Sequence, residues 1–469
     1  MTKDYFLGIE LGSTRIKAVA IDERHIPVSS GDYTWKSTYE NGIWTYALAE
    51  VWFGLKTALS GVENRESIQA MGISAMMHGY LAFDADWNLL VPFRTWQNTI
   101  TGQAAAELTE LFGFNIPQRW SIAHLYQAVL NGEEHVSRIA HITTLAGYVH
   151  YMLTGVNAIG IGEASGMFPI DSDKCDYDQQ MIDAVDMKAA QKGYAWKLRG
   201  ILPQVMNAGE DAGVMTAEGA KLLDPTGKLE AGALMAPPEG DAGTGMVATN
   251  AVAVRTGNVS AGTSVFAMIV LEKMLSKVYP EIDMVTTPTG KPVAMVHCNN
   301  CTSDINAWAG MLKGFVDACG LNISMNDIYV NLFNAALTGE KDCGGVVNVP
   351  LFSGEPVVGL DEGRPMMVRM PDAKLSFQNF ARSLVAGAMT SLKIGMDILA
   401  DENVQIDSLL GHGGYFKTPG VGQKILAAAL KTPISVMETA GEGGPWGMAL
   451  LAAYRANGKS GETLEQYLN

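Results

Sequence analysis

Asp241 stands in Pro238-Glu-Gly-Asp-Ala-Gly-Thr-Gly, a carboxylate flanked by glycines. So little bulk lets a substrate come close, and a carboxylate there can take a proton from an attacking hydroxyl. The same residues also suit an Asp that caps a helix starting at Ala242. Two turns carry a second kind of chemistry. Gly12-Ser13-Thr14 and Gly262-Thr263-Ser264 each join a glycine to hydroxyl side chains. Phosphate needs closely approaching backbone N–H groups, a hydroxyl or two, and a nearby cation or metal. Arg15 and Lys17 bring positive charge beside the first turn, and Glu10 precedes it. Glu10 can hold Mg2+ directly or through water, as one carboxylate typically does in phosphoryl transferases. Its alternative use is an ion pair with Arg15 or Lys17 across the hairpin. The pairs Gly413-Gly414 and Gly443-Gly444 let a flat base and ribose lie against the backbone. Any one of these loops reads equally well as a tight turn, but four in one chain point to a nucleotide.

Met76-Met77-His78-Gly79 follows a core-strand run. A histidine at the carboxyl end of a strand lies where α/β folds bind ligands, although a lone histidine is more often structural. Trp96-Gln97-Asn98-Thr99 offers an apolar face and several hydrogen bonds, which suits a polyol, while a packed core tryptophan is the simpler reading. Other chemistries lack their residues. Gly411-His-Gly-Gly-Tyr-Phe-Lys417-Thr has no glycine before Lys417, so it is not a P-loop. In Gly441-Glu-Gly-Gly-Pro-Trp-Gly the third glycine is displaced by one position from a dinucleotide fingerprint. Cys298-Asn-Asn-Cys301, beside His297, has the CxxC spacing but no second CxxC, so buried thiols are favoured over a metal site.

These residues need elements to position them. Tyr5-Phe-Leu-Gly-Ile and Ile16-Lys-Ala-Val-Ala-Ile read as a β-hairpin whose tip carries Gly-Ser-Thr. A strand over Ser67–Ser74 and helices over Ala104–Phe112 and Ile142–Leu153 continue an α/β alternation. A second hairpin of the same design surrounds Gly262-Thr263-Ser264, and overlaying the tips sets Ser260 opposite Glu10. The pair suggests a duplication, with two related domains facing a central cleft. The strongest Pro/Gly punctuation, Ala236–Gly245, divides the chain into residues 1–247 and 248–469. The second half closes with a strand over Ile406–Leu410 and helices over Val421–Leu430 and Met448–Ala456.

Composition narrows the partners. The 469 residues carry 33 Lys plus Arg against 49 Asp plus Glu, a net charge of −16. That field repels phosphate backbones and anionic lipid, so neither nucleic acid nor a membrane is expected as a partner. Five scattered cysteines do not make a disulfide framework and fit a reducing, cytoplasmic setting. A homodimer is left open.

Six segments in this order resemble the FGGY carbohydrate kinases. They are Leu7-Gly-Ile-Glu-Leu-Gly-Ser-Thr-Arg-Ile-Lys-Ala, Met71-Gly-Ile-Ser-Ala-Met-Met-His-Gly, Ala164-Ser-Gly-Met-Phe-Pro-Ile-Asp, Gly240-Asp-Ala-Gly-Thr-Gly, Ala261-Gly-Thr-Ser, and Gly411-His-Gly-Gly with Lys417-Thr-Pro. The second is similar to the sugar-site segment of xylulokinases. The resemblance covers nearly the whole chain. It implies two actin-like (ribonuclease H-like) α/β domains and ATP-dependent phosphorylation of a sugar hydroxyl, with a ketopentose such as xylulose as acceptor and Mg2+ as cofactor. It implies Asp241 as general base and, with Glu10, as the metal's carboxylates. Gly12, Ser13, Thr14, Lys17, Gly262 and Thr263 would face the phosphates, and Gly413, Gly414 and Lys417 the adenosine. Met77, His78, Trp96, Asn98 and Asp241 would face the sugar. Three departures stand out: Glu10 where the family has Asp, Asn98 and Ile100 where it has Asp and Arg, and His412 where glycine is common.

Overall fold

Tyr5-Phe-Leu-Gly-Ile-Glu-Leu is apolar on both sides of the alternation, as a strand covered on both faces must be. In the computed structural model, which describes residues 4–436 and 443–469, it forms β1 (Tyr5–Leu11) at the centre of a sheet. β1 pairs antiparallel with β2 (Arg15–Ile21), and β2 pairs with the edge strand β3 (Pro27–Thr34). A small hairpin follows, β4 (Thr38–Glu40) and β5 (Ile43–Thr45), and then β6 (Ile68–Ala75) lies parallel to β1 on its other side. The strand Leu234–Met235 closes the order.

A second sheet repeats this plan. Thr256–Ala261 pairs antiparallel with Val265–Val270 and parallel with Ser408–His412, and Ile434–Val436 follows. Pro292–Cys298 occupies the place that β3 holds in the first sheet, with Ile282–Thr286 beyond it. The two strand orders match position for position, and each hairpin carries one of the Gly-hydroxyl turns.

The chain divides into two compact units, but not at residues 247/248. One unit holds Met1–Val252, Met284–Val293 and Glu442–Asn469, and the other holds Ala253–Asp283 and Ala294–Gly441. The helix Gly443–Asn457 therefore belongs with β1 and β6, not with the strands that precede it. Glycines make that docking possible. A methyl on Gly8 of β1 would overlap the Pro445 carbonyl, and one on Gly447 would overlap the Thr244 carbonyl. Gly441 and Glu442 of the last glycine-rich loop lie outside the described residues.

One expected helix starts later than its apolar pattern. His141–Thr143 is a strand paired with Leu81–Phe83, and the helix runs Leu145–Thr154. Thr144 caps it, its hydroxyl accepting from the Gly147 N–H at 3.4 Å. Among the described residues no single helix is long and apolar enough to cross a membrane.

The backbone at Thr244 cannot yield as a flexible side chain would. Gly447→Ala should therefore cost about 1–3 kcal/mol of stability, the usual range for overpacking. A thermal melt unchanged from wild type would show that the helix is not held this closely.

Candidate functional site

The first turn is held from behind. Its three carbonyls each have a donor: the Trp35 indole N–H to Gly12 at 2.7 Å, the Tyr46 hydroxyl to Ser13 at 2.7 Å, and the Trp35 backbone N–H to Thr14 at 3.1 Å. Trp35 and Tyr46 pack on each other with ring centroids 4.3 Å apart and planes tilted by 33°. With the carbonyls turned back, the N–H groups and hydroxyls of Ser13 and Thr14 are left for an outside acceptor. Neither clamp residue was among the expected site residues. The signal was present as two aromatics beside a polar turn, but nothing in their spacing marks the pairing. Arg15 is spent on Asp32 at 3.3 Å, so it does not serve Glu10.

Asp241 opens the helix Asp241–Ala248. One oxygen, Oδ1, accepts both the Met77 N–H at 3.1 Å and the Ala242 N–H at 2.9 Å. Oδ2 takes neither of these bonds. Burial raises the Asp241 pKa to about 6, and the backbone N–H groups oppose the rise. Glu10 is pushed further, to about 8, first by burial and then by the charge of Asp241. Lys17, opposite Glu10 in the strand register, lowers it less than these raise it. Gly444 lies directly against the Glu10 carboxylate, where any side chain would overlap it.

Two further acids lie on the Asp241 side. Glu239, fully buried and raised to about 7 by burial, accepts from the Gly162 and Glu163 N–H groups at 3.2 and 2.9 Å. Glu163 is fully buried too, and burial lifts its pKa well above the usual carboxylate range. Gly240 must be glycine because a methyl there would strike the Glu163 carboxyl. Glu163 went unnoticed although it stands alone in the apolar run Ile159-Gly-Ile-Gly-Glu-Ala, which is an unusual place for an acid.

The expected sugar residues separate into two groups. His78 follows β6 in the left-handed region at φ 72°, with Gly79 at φ 89°, so the chain turns sharply there. Its Nδ1–H donates to the Gly166 carbonyl at 3.1 Å, and its ring lies nearly parallel to Trp120. Trp96 is 37% exposed. Met77 serves through its backbone N–H on Asp241, while its side chain packs near Gly166 and Gly240. Asn98 corrects the expectation. Its amide is buried, donating to the Trp44 carbonyl at 2.8 Å and the Thr95 carbonyl at 3.0 Å and accepting from the Trp44 N–H at 2.8 Å. It braces the backbone and does not present itself to a ligand.

In the second unit the other turn is clamped in the same way. The Thr302 N–H and hydroxyl both donate to the Gly262 carbonyl, at 3.0 and 2.7 Å, and the Cys301 N–H donates to the Thr263 carbonyl at 3.0 Å. Cys298 and Cys301 are buried free thiols with raised pKa values, the opposite of a reactive or metal-bound pair. A cavity of about 520 Å3 opens beside this turn. Gly262, Thr263, Gly414 and Lys417 line it, with Val330 and Phe333 supplying apolar wall. Gly413, at φ 98°, packs against the Ala261 backbone and holds the loop in place from behind.

Two sheets of matching order, each with a donor-presenting turn, define an actin-like ATPase fold, and known structures of that fold superpose over nearly the whole chain. A xylulose kinase from Brucella ovis matches with TM-score 0.81 at 20% identity, covering 99% of this chain and 92% of that one. Plasmodium falciparum glycerol kinase matches with TM-score 0.76 at 15% identity, covering 100% and 92%. Among curated proteins, xylulose kinases of Haemophilus influenzae and Escherichia coli are 22% and 23% identical, covering 93% and 96% of this chain and 91% and 90% of theirs. The N-terminal domain model of the FGGY family of carbohydrate kinases matches residues 5–226, and the C-terminal domain model matches residues 257–456. The chain belongs to that family. It is a carbohydrate kinase, a phosphotransferase acting on an alcohol group, with ATP and a sugar as substrates.

Glu10 has a testable signature in the ligand-free protein. Its folded pKa of about 8 lies above the ordinary 4.5, so the folded state binds this proton more tightly than the unfolded chain does. The resulting stabilisation is complete below the unfolded value and is lost as pH rises through about 8. Glu10→Gln should flatten that fall, melting above wild type at pH 9 and close to it at pH 5. Parallel melting curves for the two proteins across this range would contradict the assignment.

Proposed function

We propose that this kinase transfers the γ-phosphoryl group of ATP to a hydroxyl of a ketopentose or similar neutral polyol, with xylulose as the first candidate and Asp241 as general base. The observation that carries the reading is the split environment of the Asp241 carboxylate. Two N–H groups fix Oδ1, and Oδ2 is left to take the proton of the attacking hydroxyl. With a pKa near 6, the group is ionised at neutral pH yet basic enough to accept that proton as the O–P bond forms. His78 and Trp96, on the segments after β6 and around residue 96, supply a polar ring and an apolar face for the sugar. The curated xylulose kinases support the choice of acceptor.

The phosphates are assigned to the donors of Ser13, Thr14 and Thr263, with Lys17 as the nearby cation; the N–H groups of Gly12 and Gly262 close their own turns on the Arg15 and Ser264 carbonyls at 2.9 Å, and these two residues offer bare backbone. The adenosine is assigned to the cavity of the second unit, where Gly414 has open space before it and Lys417 lines the wall. Glu10 and Asp241 fit a magnesium ion. Both are hard oxygen donors, their charges repel, and no group of three or more metal-binding side chains surrounds them among the described residues. That donor set suits an ion that keeps most of its waters and takes one or two carboxylates. Bound Mg2+ would neutralise charge on the phosphates. The longer side chain of Glu10, compared with the family's Asp, is accommodated by the bare backbone of Gly444.

Asp241→Asn should bind ATP and sugar as wild type does while kcat falls by about 10² to 10⁴, the range for loss of a general base. A coupled ADP-release assay across ketoses, polyols and sugar acids measures this and ranks the acceptors. Near-normal kcat in the variant would remove Asp241 from the base role, and a sugar acid as best substrate would overturn the acceptor.

A further inference from the structure

Four of the exposed apolar side chains of the first unit belong to two segments that hydrogen-bond to each other, the β4–β5 hairpin and residues 95–100. Tyr39 is 62% exposed, Trp44 36%, Trp96 37% and Ile100 43%. Tyr39 and Trp44 face each other across β4 and β5, with ring centroids 5.0 Å apart at 47°. Strands of three residues hold little stability of their own, so a hairpin this short needs support. It has support at both ends and along one side. Trp35 before it and Tyr46 after it are the packed pair that clamps the first turn. Asn98 binds both backbone polar groups of Trp44, and the Thr95 N–H adds a bond to the Trp44 carbonyl at 3.2 Å. The aromatics are displayed on a braced frame.

That frame is stitched to the acceptor residues. Tyr80 and Arg94 exchange two backbone hydrogen bonds, at 2.8 and 3.2 Å, and Gly79 packs against Phe93 and the Arg94 carbonyl. Backbone bonds therefore link the segment after His78, through residues 94–98, to Trp44. Between Trp96 and Asn98 sits Gln97, whose Oε1 is buried and accepts from no donor among the described residues. An acceptor in that state calls for a hydroxyl or water. Exposed aromatic rings beside an unsatisfied acceptor, with no charged side chain among Tyr39, Trp44, Trp96, Gln97 and Ile100, make a surface for neutral carbohydrate. The C–H face of a sugar ring packs on an aromatic plane while its rim hydroxyls reach polar groups.

We infer that Tyr39 and Trp44 form an aromatic platform that extends the acceptor site past Trp96, and that it carries a second sugar ring joined to the polyol being phosphorylated. The inference rests on the acceptor reading above. It adds a substrate class: neutral glycosyl polyols, longer than a free ketopentose. Asn98 and Ile100 then serve this surface in two ways. One residue braces the hairpin and the other extends its apolar rim.

Isothermal titration calorimetry with sorbitol and with maltitol, which is sorbitol bearing a glucosyl ring, tests this directly. The full-length wild type should bind maltitol about tenfold more tightly than sorbitol, as one added stacked ring is worth. In Tyr39→Ala, whose side chain is too exposed to matter for folding, that ratio should shrink. In Trp44→Ala it should fall to about one, with circular dichroism confirming the fold. Equal affinities in wild type, or a ratio unchanged in both variants, would overturn the platform while leaving phosphorylation of xylulose intact. Binding of neither polyol by a protein that binds xylulose would overturn the platform alone, and failure to bind xylulose as well would overturn the acceptor site on which it depends.

Discussion

Four carboxyl groups of the first unit are drawn out of water, Glu163 and Glu239 fully and Glu10 and Asp241 in part, and burial raises every one. Taking charge out of water is among the most expensive things a fold can do. The surroundings are built to make it tolerable. Gly160, Gly162, Gly240 and Gly444 are bare because the carboxyl groups lie against their backbones. Backbone N–H groups stand in for lost water at Glu239 and at Asp241 Oδ1. The helix Gly443–Asn457 returns from the chain's far end to supply Gly444. Groups this costly persist where they serve chemistry, and the proposed base beside a proposed cation site would be such a use.

The second theme is repetition with one change. Both sheets place a Gly-hydroxyl turn at the same point in the same strand order, and both turns have their carbonyls tied back by a neighbouring segment. The means differ: packed aromatics in one unit and Cys301-Thr302 in the other. The result is the same, a small surface of outward N–H groups and hydroxyls. Only the first copy keeps an acid two residues before its glycine, Glu10 against Ser260. The acid chemistry therefore belongs to one unit, while the cavity suited to a nucleoside belongs to the other.

Much of this was legible from residue order alone. The buried run of β1, the glycine-tipped hairpins and the glycine-flanked Asp241 could all be read, because backbone sterics and two-sided burial leave plain local patterns. What could not be read depends on contacts distant in sequence. Glu163 meets Gly240, Trp35 reaches back to Gly12, and Gly444 meets Glu10 across most of the chain. Asn98 shows the limit most clearly. Its type suited a sugar contact, but pairing with the backbone of Trp44 consumes both ends of its amide. The return of the last helix to the first unit is likewise a matter of which sheet has bare backbone to receive it.

The central claim is that burial tunes the Asp241 carboxylate for proton transfer. The pH dependence of kcat/KM for the sugar reports the ionisation of the free enzyme's base. An acid limb with a midpoint near 6, where burial places Asp241, is expected, with full activity above it. A profile that stays flat well below this, or breaks only near the ordinary carboxylate value of 3.8, would contradict it.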